Sequence, residues 1–173
     1  VEVQGVTEDS ASFPHISVRV GENAEASVVV VYRSAAGASL LLVPEIDLDL
    51  SKGANLRFLS VQNMDHAATT VTHQRLHLGR DATGRLGEVG LGGDFARLDL
   101  TVELEGDGCS ADTAGLYFGE GDQTLDYRVV IRHSGKNTSS DVFLKGAVED
   151  QSQSVFTGLL RIEKDAVRTS TFE

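Results

Sequence analysis

The sequence predicts an all-β protein whose strands wind into a β-solenoid with about 28 residues per repeat. Turn-like segments recur at an even spacing, and apolar and polar residues alternate on both sides of each turn. No stretch shows the apolar period of an amphipathic helix. The composition agrees, because aromatic residues make up only 6% of the chain and the apolar residues are mainly Val, Leu and Ala.

Five turn-like segments define the repeat, and they read SKGAN, GRDAT, DGCSA, GKNTS and EKDAV. They place small residues at a constant spacing of 28, namely Ala54, Ala82, Ser110, Thr138 and Ala166. An earlier segment, GENAE, places Ala24 at a spacing of 30 from Ala54. Most residues just before these positions tolerate a left-handed or tight turn. We therefore expect the five small residues to stack in one column, with one residue in each coil.

Strands are predicted on both sides of the turns by apolar residues at alternate positions. Before the turns these are Ile46, Leu48 and Leu50, then Leu76 and Leu78, Val102 and Leu104, and Leu160 and Ile162. After the turns they are Leu56 and Phe58, then Ala114, Leu116 and Phe118, and Val142 and Leu144. An antiparallel meander would show the same local alternation, so the pattern leaves that fold open. Small residues at the same step of every repeat favour stacked coils.

Composition excludes several classes of function. A net charge of -11 disfavours nucleic acid as a partner. The single cysteine, Cys109, cannot form an internal disulfide or a cysteine-rich zinc site. The longest apolar runs, 28–32 and 40–43, are too short to span a bilayer, and the N-terminus lacks the pattern of a signal peptide. We expect one domain over residues 1–173, in the cytoplasm and without a membrane partner.

The chain resembles the core of the SufB/SufD family, and SufD-like members in particular. The resemblance depends on LGRDATGRL from Leu78, LGGDFARL from Leu91, AGLYFGEGDQ from Ala114 and the whole stretch from His133 to Glu173. A weaker match lies at GANLRFLS and VQN in the first half. SufB members carry a Cys near residues 29–36 and a Trp after Gln-Asn, whereas this chain has VVVYRSAA and Met64.

This resemblance implies a right-handed parallel β-helix that pairs with SufB and acts with the SufC ATPase as a scaffold subunit in iron–sulfur cluster assembly. It implies no enzyme activity and no cofactor in the chain alone, because the whole complex assembles the cluster. It also implies a core fragment without the C-terminal helical domain. The alternative function is a β-solenoid module or lyase that acts on polysaccharide. The scarcity of aromatic residues and the acidic composition fit that alternative poorly.

Few residues stand out as candidate sites. Cys109 is expected in a turn, at the position equivalent to Gly53 and Asp81, with no catalytic or ligand role. His73 and His77 share the outer face of one strand, and with His66 and His133 we expect them to be solvated surface histidines that bind no metal. No nucleotide-binding motif or nucleophile elbow is present, so no catalytic residues are predicted.

By resemblance, Gln62 and His73 fall at or near positions of a sulfur relay in SufB, although the cysteines at both ends of that path are missing. The densest family motif consists of His133, Asn137, Thr138, Ser140, Lys145 and Gly146. We expect this motif to build turns and stacking contacts, because Asn tolerates left-handed backbone and Thr and Ser bond to turn groups. Finally, an open last coil predicts a weak homodimer, favoured by salt, through the C-terminal strand around residues 169–173.

Overall fold

The computed structural model describes residues 1–172 and is a parallel β-solenoid of about six turns with about 29 residues per repeat. All strand pairs in this range are parallel, and no helix occurs in it. The all-β prediction and the solenoid are therefore confirmed, and the antiparallel meander is excluded. Among residues 1–172, no helix is long and apolar enough to cross a membrane.

The strands are β1 (Glu2–Gly5), β2 (Ser10–Ser12), β3 (His15–Val20), β4 (Glu25–Ser34), β5 (Leu40–Leu42), β6 (Glu45–Leu50), β7 (Asn55–Asn63), β8 (Ala68–Leu78), β9 (Thr83–Gly90), β10 (Phe95–Leu104), β11 (Ser110–Gly119), β12 (Thr124–His133), β13 (Ser139–Val148), β14 (Gln153–Ile162) and β15 (Ser170–Phe172).

Two sheets form the walls of the solenoid. The seven-stranded sheet has the order β1-β4-β7-β9-β11-β13-β15. In the eight-stranded sheet, β14, β12, β10 and β8 follow one another, and β8 then pairs with both β5 and β6. Pro14 and Pro44 lie where β2 gives way to β3 and β5 to β6. Proline lacks the N–H that a sheet ladder requires, so these coils carry two short strands where later coils carry one long strand.

One corner of each coil repeats the same backbone conformation. The residues with positive φ there are Asn23, Gly53, Asp81, Gly108, Asn137 and Arg168. Each of the first five donates its N–H to a carbonyl of the next coil, as Gly53 does to Arg80 (2.8 Å) and Gly108 to Lys136 (2.8 Å). Gly and Asn adopt this conformation at low cost, which is why the turn segments are recognisable in the sequence.

The prediction that the small residues of the column recur every 28 residues is wrong at two positions, Ser110 and Ala166. Thr83 pairs with Ser110 and Ser110 with Ser139, so Cys109 occupies the small-residue column between Ala82 and Thr138. Thr169, and not Ala166, follows Thr138. The column therefore runs Ala24, Ala54, Ala82, Cys109, Thr138 and Thr169. The coils differ in length because loops absorb extra residues, and a slip of one residue exchanges the faces of a strand.

That exchange explains a second difference in β11. Leu116 and Phe118 lie on the outer face of the seven-stranded sheet and are 53% and 39% exposed, although the alternation suggested core positions. Gly115 and Tyr117 occupy the inner positions instead, opposite Glu88 and Gly90 of β9. The sequence pattern alone does not distinguish the two faces of this strand.

The alternation separates a core from two unlike outer faces. The core consists mainly of Leu, Ile and Val, as at Leu48, Leu76 and Leu104, which are almost fully buried. Its middle is polar, because Gln74 and Glu88 are buried there as well. The outer face of the eight-stranded sheet carries ion pairs, whereas that of the seven-stranded sheet exposes apolar side chains such as Val29, Leu116 and Phe143.

Candidate functional site

A buried polar cluster inside the solenoid is centred on Glu88. Glu88 points inward from β9, and Gln74 points inward from the opposite wall on β8. The Nε2 of Gln74 donates to the Oε1 of Glu88 at 2.7 Å, and Ser60 of β7 supplies a second hydrogen bond. The parallel ladders place these three residues in the middle of the molecule, where Leu would otherwise be expected.

Burial dominates the electrostatics of this cluster. It raises the pKa of Glu88 to about 8, and the hydrogen bonds from Gln74 and Ser60 offset only part of that rise. Glu88 is thus a neutral carboxylic acid at pH 7. Burial also raises the pKa of Tyr32 and Tyr127, and the proximity of Glu88 raises both further. The cluster can donate and accept hydrogen bonds without carrying charge.

A small cavity adjoins the cluster and is lined by Ser60, Gln62, Thr70, Thr72, Glu88 and Tyr127, among others. It offers about 30 Å³ to the centres of water-sized molecules, which is room for roughly two waters. Of the residues that line it, Thr70 has a buried hydroxyl without a hydrogen-bond partner among the described residues. The Tyr32 hydroxyl and the Gln74 Oε1, elsewhere in the core, are also unpartnered in the described chain. The cavity therefore suits a small, neutral, polar occupant.

Gln62 and His73, the two relay-like positions, are not brought together. Gln62 lines the cavity, but its side-chain amide bonds to the backbone of Gly92, donating to the carbonyl at 2.9 Å and accepting from the N–H at 3.2 Å. His73 lies on the outer face of the eight-stranded sheet, 3.7 Å from a carboxylate oxygen of Asp99. The sheet separates the two side chains.

The family motif forms a second buried polar cluster at the last complete corner. The Nδ1 of His133 lies 2.7 Å from the Oγ1 of Thr138, and its Nε2 lies 2.9 Å from the Oγ of Ser140. Thr138 and Ser140 in turn contact Thr169 (3.3 Å) and Thr171 (3.0 Å) of the next coil. Burial lowers the pKa of His133, so the ring is neutral.

The prediction of a surface position is therefore wrong for His133, which is fully buried. Its burial could have been predicted from the sequence, because His133 occupies an inner position of β12 and hydroxyl side chains follow at the next corner. The other motif residues are placed as follows. Asn137 has a φ of 55° at the corner, Lys145 is exposed, and a Cβ at Gly146 would overlap the ring of Tyr117.

Cys109 lies in the core and not in the turn. Its side chain is fully buried, and the register places it opposite Ala82, so the assignment to the position of Gly53 and Asp81 is wrong by one residue. Gly108 occupies that turn position, with a φ of 76°. Burial raises the pKa of the Cys109 thiol to about 11, which keeps it protonated and a poor ligand or nucleophile at neutral pH.

The outer face of the eight-stranded sheet carries rows of charged side chains. Asp47 lies at the centre of one group, 2.7 Å from Arg75 and 3.0 Å from the Nε2 of His15. Hydrogen bonds from Arg75 and His15 lower the pKa of Asp47. His77 lies between Asp49 (2.9 Å) and Glu105 (3.0 Å), and the other outward histidines, His66 and His73, each face one carboxylate.

Sequence reasoning missed two groups of residues. Glu88 could have been recognised as an acid at an inner position of the alternating segment RLGEVG. The ligand atoms of His15, Glu45 and Asp47 lie within 4.8 Å of one another. No sequence signal joins His15 to the other two, because the coil register brings together residues that are 30 or more positions apart.

The family model of the SufBD core domain, described as SUF system FeS cluster assembly, matches residues 3–173. An iron–sulfur cluster assembly SufBD family protein of Mycobacterium tuberculosis (strain ATCC 25618 / H37Rv) is 28% identical over 180 residues, an alignment that covers 100% of this chain and 44% of the relative. The iron–sulfur cluster assembly protein SufD of Bacillus subtilis (strain 168) is 26% identical, with 94% of this chain and 38% of the relative covered. For SufD of Escherichia coli (strain K12) the values are 23%, 96% and 40%. The chain spans less than half the length of these relatives.

Proposed function

Because the chain belongs to the SufBD core-domain family of the SUF system, we propose that it is a SufD-like scaffold subunit of iron–sulfur cluster assembly and not an enzyme. The observation that supports this most strongly is the family match over residues 3–173, together with the similarity to two SufD proteins. The partners we propose are SufB, through the β-helix, and the SufC ATPase. The location we propose is the cytoplasm, whose reducing conditions suit a chain with one free thiol.

The side chains of this chain support a structural and partner-binding role and not a role in holding a cluster. Protein-bound iron–sulfur clusters are normally held by several thiolates. The one thiol of this chain is buried and protonated at neutral pH. We therefore propose that the cluster is cargo of the whole complex, and that this chain alone holds neither a cluster nor a nucleotide.

Anaerobic co-expression with SufB and SufC tests the assignment. With an affinity tag on this chain, we expect SufB to co-purify, with SufC held through the rest of the complex, and iron and sulfide to be found in the complex. The chain purified alone should contain no sulfide in stoichiometric amount, because sulfide marks a cluster whereas a single metal ion brings none. A stoichiometric iron–sulfur chromophore on the isolated chain, or a failure to retain SufB, with which the β-helix is proposed to pair, would contradict the proposal. The variant Cys109→Ala distinguishes a cluster held by the thiol from one held by other ligands.

We also propose that the isolated chain forms a weak homodimer through its C-terminal strand. In the described part of the chain, β15 ends the seven-stranded sheet and β14 ends the eight-stranded sheet, so each leaves an edge that can recruit a strand. Glu173, the last residue of the predicted segment 169–173, lies outside the described residues. Because two chains of net charge -11 repel, salt should favour association.

Sedimentation velocity at low and high salt tests this association. We expect a dimer at high protein and high salt, and its loss in Thr171→Pro, because proline removes a backbone donor from the strand. A strict monomer under these conditions, or a dimer that Thr171→Pro leaves unchanged, would rule the C-terminal strand out as the interface.

A further inference from the structure

A row of potential metal ligands crosses the outer face of the eight-stranded sheet near its N-terminal end. His15 of β3 is the register partner of Glu45 of β6, and Glu45 is the partner of His73 of β8. Asp47 lies two residues beyond Glu45 on the same strand, so it shares the outer face. Three neighbouring parallel strands, hydrogen-bonded along their length, thus hold two imidazoles and two carboxylates on one surface.

The ligand atoms of His15, Glu45 and Asp47 are already close together. All lie within 4.8 Å of one another, and the Nε2 of His15 is 3.0 Å from the Oδ2 of Asp47. Zinc–nitrogen and zinc–oxygen bonds are about 2.0–2.2 Å long, so two ligand atoms of one ion can lie up to about 4.3 Å apart. Small rotations of exposed side chains would bring the three atoms into that range, without movement of the backbone.

From this geometry we propose that His15, Glu45 and Asp47 form a binding site for a divalent transition-metal ion of the Zn²⁺ or Fe²⁺ type. One imidazole and two carboxylates make a mixed nitrogen and oxygen ligand set, which suits these ions better than Mg²⁺ or Ca²⁺, for which oxygen ligands are typical. His73 lies one strand further on, in register with Glu45 and 3.7 Å from Asp99, and is not one of the proposed ligands. The site stands independently of the proposed function, because it involves neither SufB nor SufC.

Arg75 orients Asp47, and its positive charge competes with a metal ion for that carboxylate. Its Nη2 lies 2.7 Å from the Oδ1 of Asp47, which leaves the Oδ2 directed toward His15. The guanidinium orients the carboxylate, but its positive charge opposes the binding of a cation. Removal of that charge should therefore strengthen metal binding, whereas removal of any of the three ligands should weaken it.

The matched control is His77, on the same strand as His73. Its two ring nitrogens face different carboxylates, Asp49 at 2.9 Å and Glu105 at 3.0 Å. Because the two nitrogens lie on different edges of the ring, these carboxylates cannot converge with it on one ion. His77→Gln thus removes an imidazole that has carboxylate neighbours without touching the proposed ligand set.

Isothermal titration of Zn²⁺ into the 173-residue chain, with the absorption spectrum of bound Co²⁺ as a second readout, tests the proposal. We expect one site, with affinity at least about tenfold weaker in His15→Gln and in Asp47→Asn, and stronger in Arg75→Gln. His77→Gln should bind as the wild type does. Circular dichroism checks that each variant keeps its fold.

Three results would overturn the proposal: no saturable binding, binding that survives both His15→Gln and Asp47→Asn, or binding that His77→Gln weakens as much as His15→Gln does. Glu45→Gln is the independent second variant, and unchanged affinity there would also count against the site. None of these outcomes depends on partner binding, so a failure here leaves the scaffold proposal to its own test.

Discussion

Glu88 and His133 are both buried, titratable side chains in an otherwise apolar core, yet their surroundings differ. Both ring nitrogens of His133 meet a hydroxyl, at 2.7 and 2.9 Å. Glu88 has donors in Gln74 and Ser60, but the neighbouring Tyr32 hydroxyl and Gln74 Oε1 have no partner in the described chain. The His133 cluster is thus saturated with hydrogen bonds, whereas the Glu88 cluster is incompletely paired and adjoins a cavity.

The two clusters change stability in opposite directions as the pH varies. Folded Glu88 keeps its proton up to about pH 8, whereas the unfolded chain loses it near pH 4.5, so stability declines as pH rises between these values. The pKa of His133 is lowered from 6.5, so the unfolded chain takes up a proton first and stability declines as pH falls below about 6.5. Below pH 6.5 the two contributions oppose each other, and above pH 6.5 only Glu88 of the two still changes the stability.

The largest expected effect is that of Glu88→Gln on the decline of stability between pH 4.5 and pH 8. The amide keeps the shape and some hydrogen bonds of the protonated acid but cannot ionise. From pH 4.5 to pH 8, the free energy of unfolding of the variant should rise relative to wild type by about 4 kcal/mol, since each pH unit is worth about 1.4 kcal/mol. Urea unfolding at the two pH values measures this difference. If Glu88→Gln changed the free energy of unfolding by the same amount at both pH values, Glu88 would not be the cause of this decline.

Two other titratable residues bear on that measurement: His77 adds a second pH-dependent contribution, and Glu149 supplies the control variant. Partial burial lowers the pKa of His77, but hydrogen bonds to Asp49 and Glu105 raise it overall, so His77 also loses stabilising contacts as pH rises. That loss should remain in Glu88→Gln. Glu149 is an exposed carboxylate, and Glu149→Gln should change stability little at either pH.

The next largest effect is expected for His133→Ala. It leaves a cavity in the core and removes the partner of two buried hydroxyls, which should cost about 3 kcal/mol at pH 7.5. The difference from wild type should shrink as pH falls to 5, because the wild type itself loses stability when the unfolded histidine becomes protonated. Urea unfolding at both pH values, with His73→Ala as the exposed control, checks this. A cost that stays constant with pH would mean that the ring does not titrate as its burial predicts.

The predictability of the two clusters differs for a physical reason. Alternation within a strand shows which residues share a face, so the strands, the corners and the stacking motif at Asn137 and Thr138 could be predicted. Alternation does not show which residue of the next coil lies alongside, because coil lengths vary. This is why the column was misassigned at Ser110 and Ala166, where Cys109 and Thr169 lie instead.

The same limit hid the candidate sites. The contact between Gln74 and Glu88 crosses the interior between two walls, and the group of His15, Glu45 and Asp47 depends on the pairing of β3 with β6. His133 was misplaced for another reason: a polar side chain in an alternating strand is more often exposed than buried. Its burial costs little free energy only because the hydroxyls of Thr138 and Ser140, five and seven residues later, bond to both ring nitrogens.

A smaller effect is expected for Thr138→Val, which replaces a hydroxyl by a methyl group of similar size in the saturated cluster. The Oγ1 of Thr138 contacts the Nδ1 of His133 at 2.7 Å, so its loss leaves a buried ring nitrogen without a partner. We expect a cost of about 1–2 kcal/mol in the free energy of unfolding at pH 7. Thr124→Val, at a partly exposed position on the outer face of β12, is the matched control and should be nearly neutral. A neutral Thr138→Val would argue that this hydrogen bond contributes nothing to stability.

The smallest effect is expected for Tyr32→Phe in the Glu88 cluster. The ring of Tyr32 is almost fully buried, but its hydroxyl has no hydrogen-bond partner in the described chain. Because an unpaired buried hydroxyl costs free energy, its removal should leave stability unchanged or raise it by up to about 1 kcal/mol. Urea unfolding beside Thr138→Val, under the same conditions, makes the comparison direct. If Tyr32→Phe instead destabilises the protein as much as Thr138→Val does, the Tyr32 hydroxyl has a partner in solution. That partner would be a buried water, because no protein group of the described chain bonds to this hydroxyl.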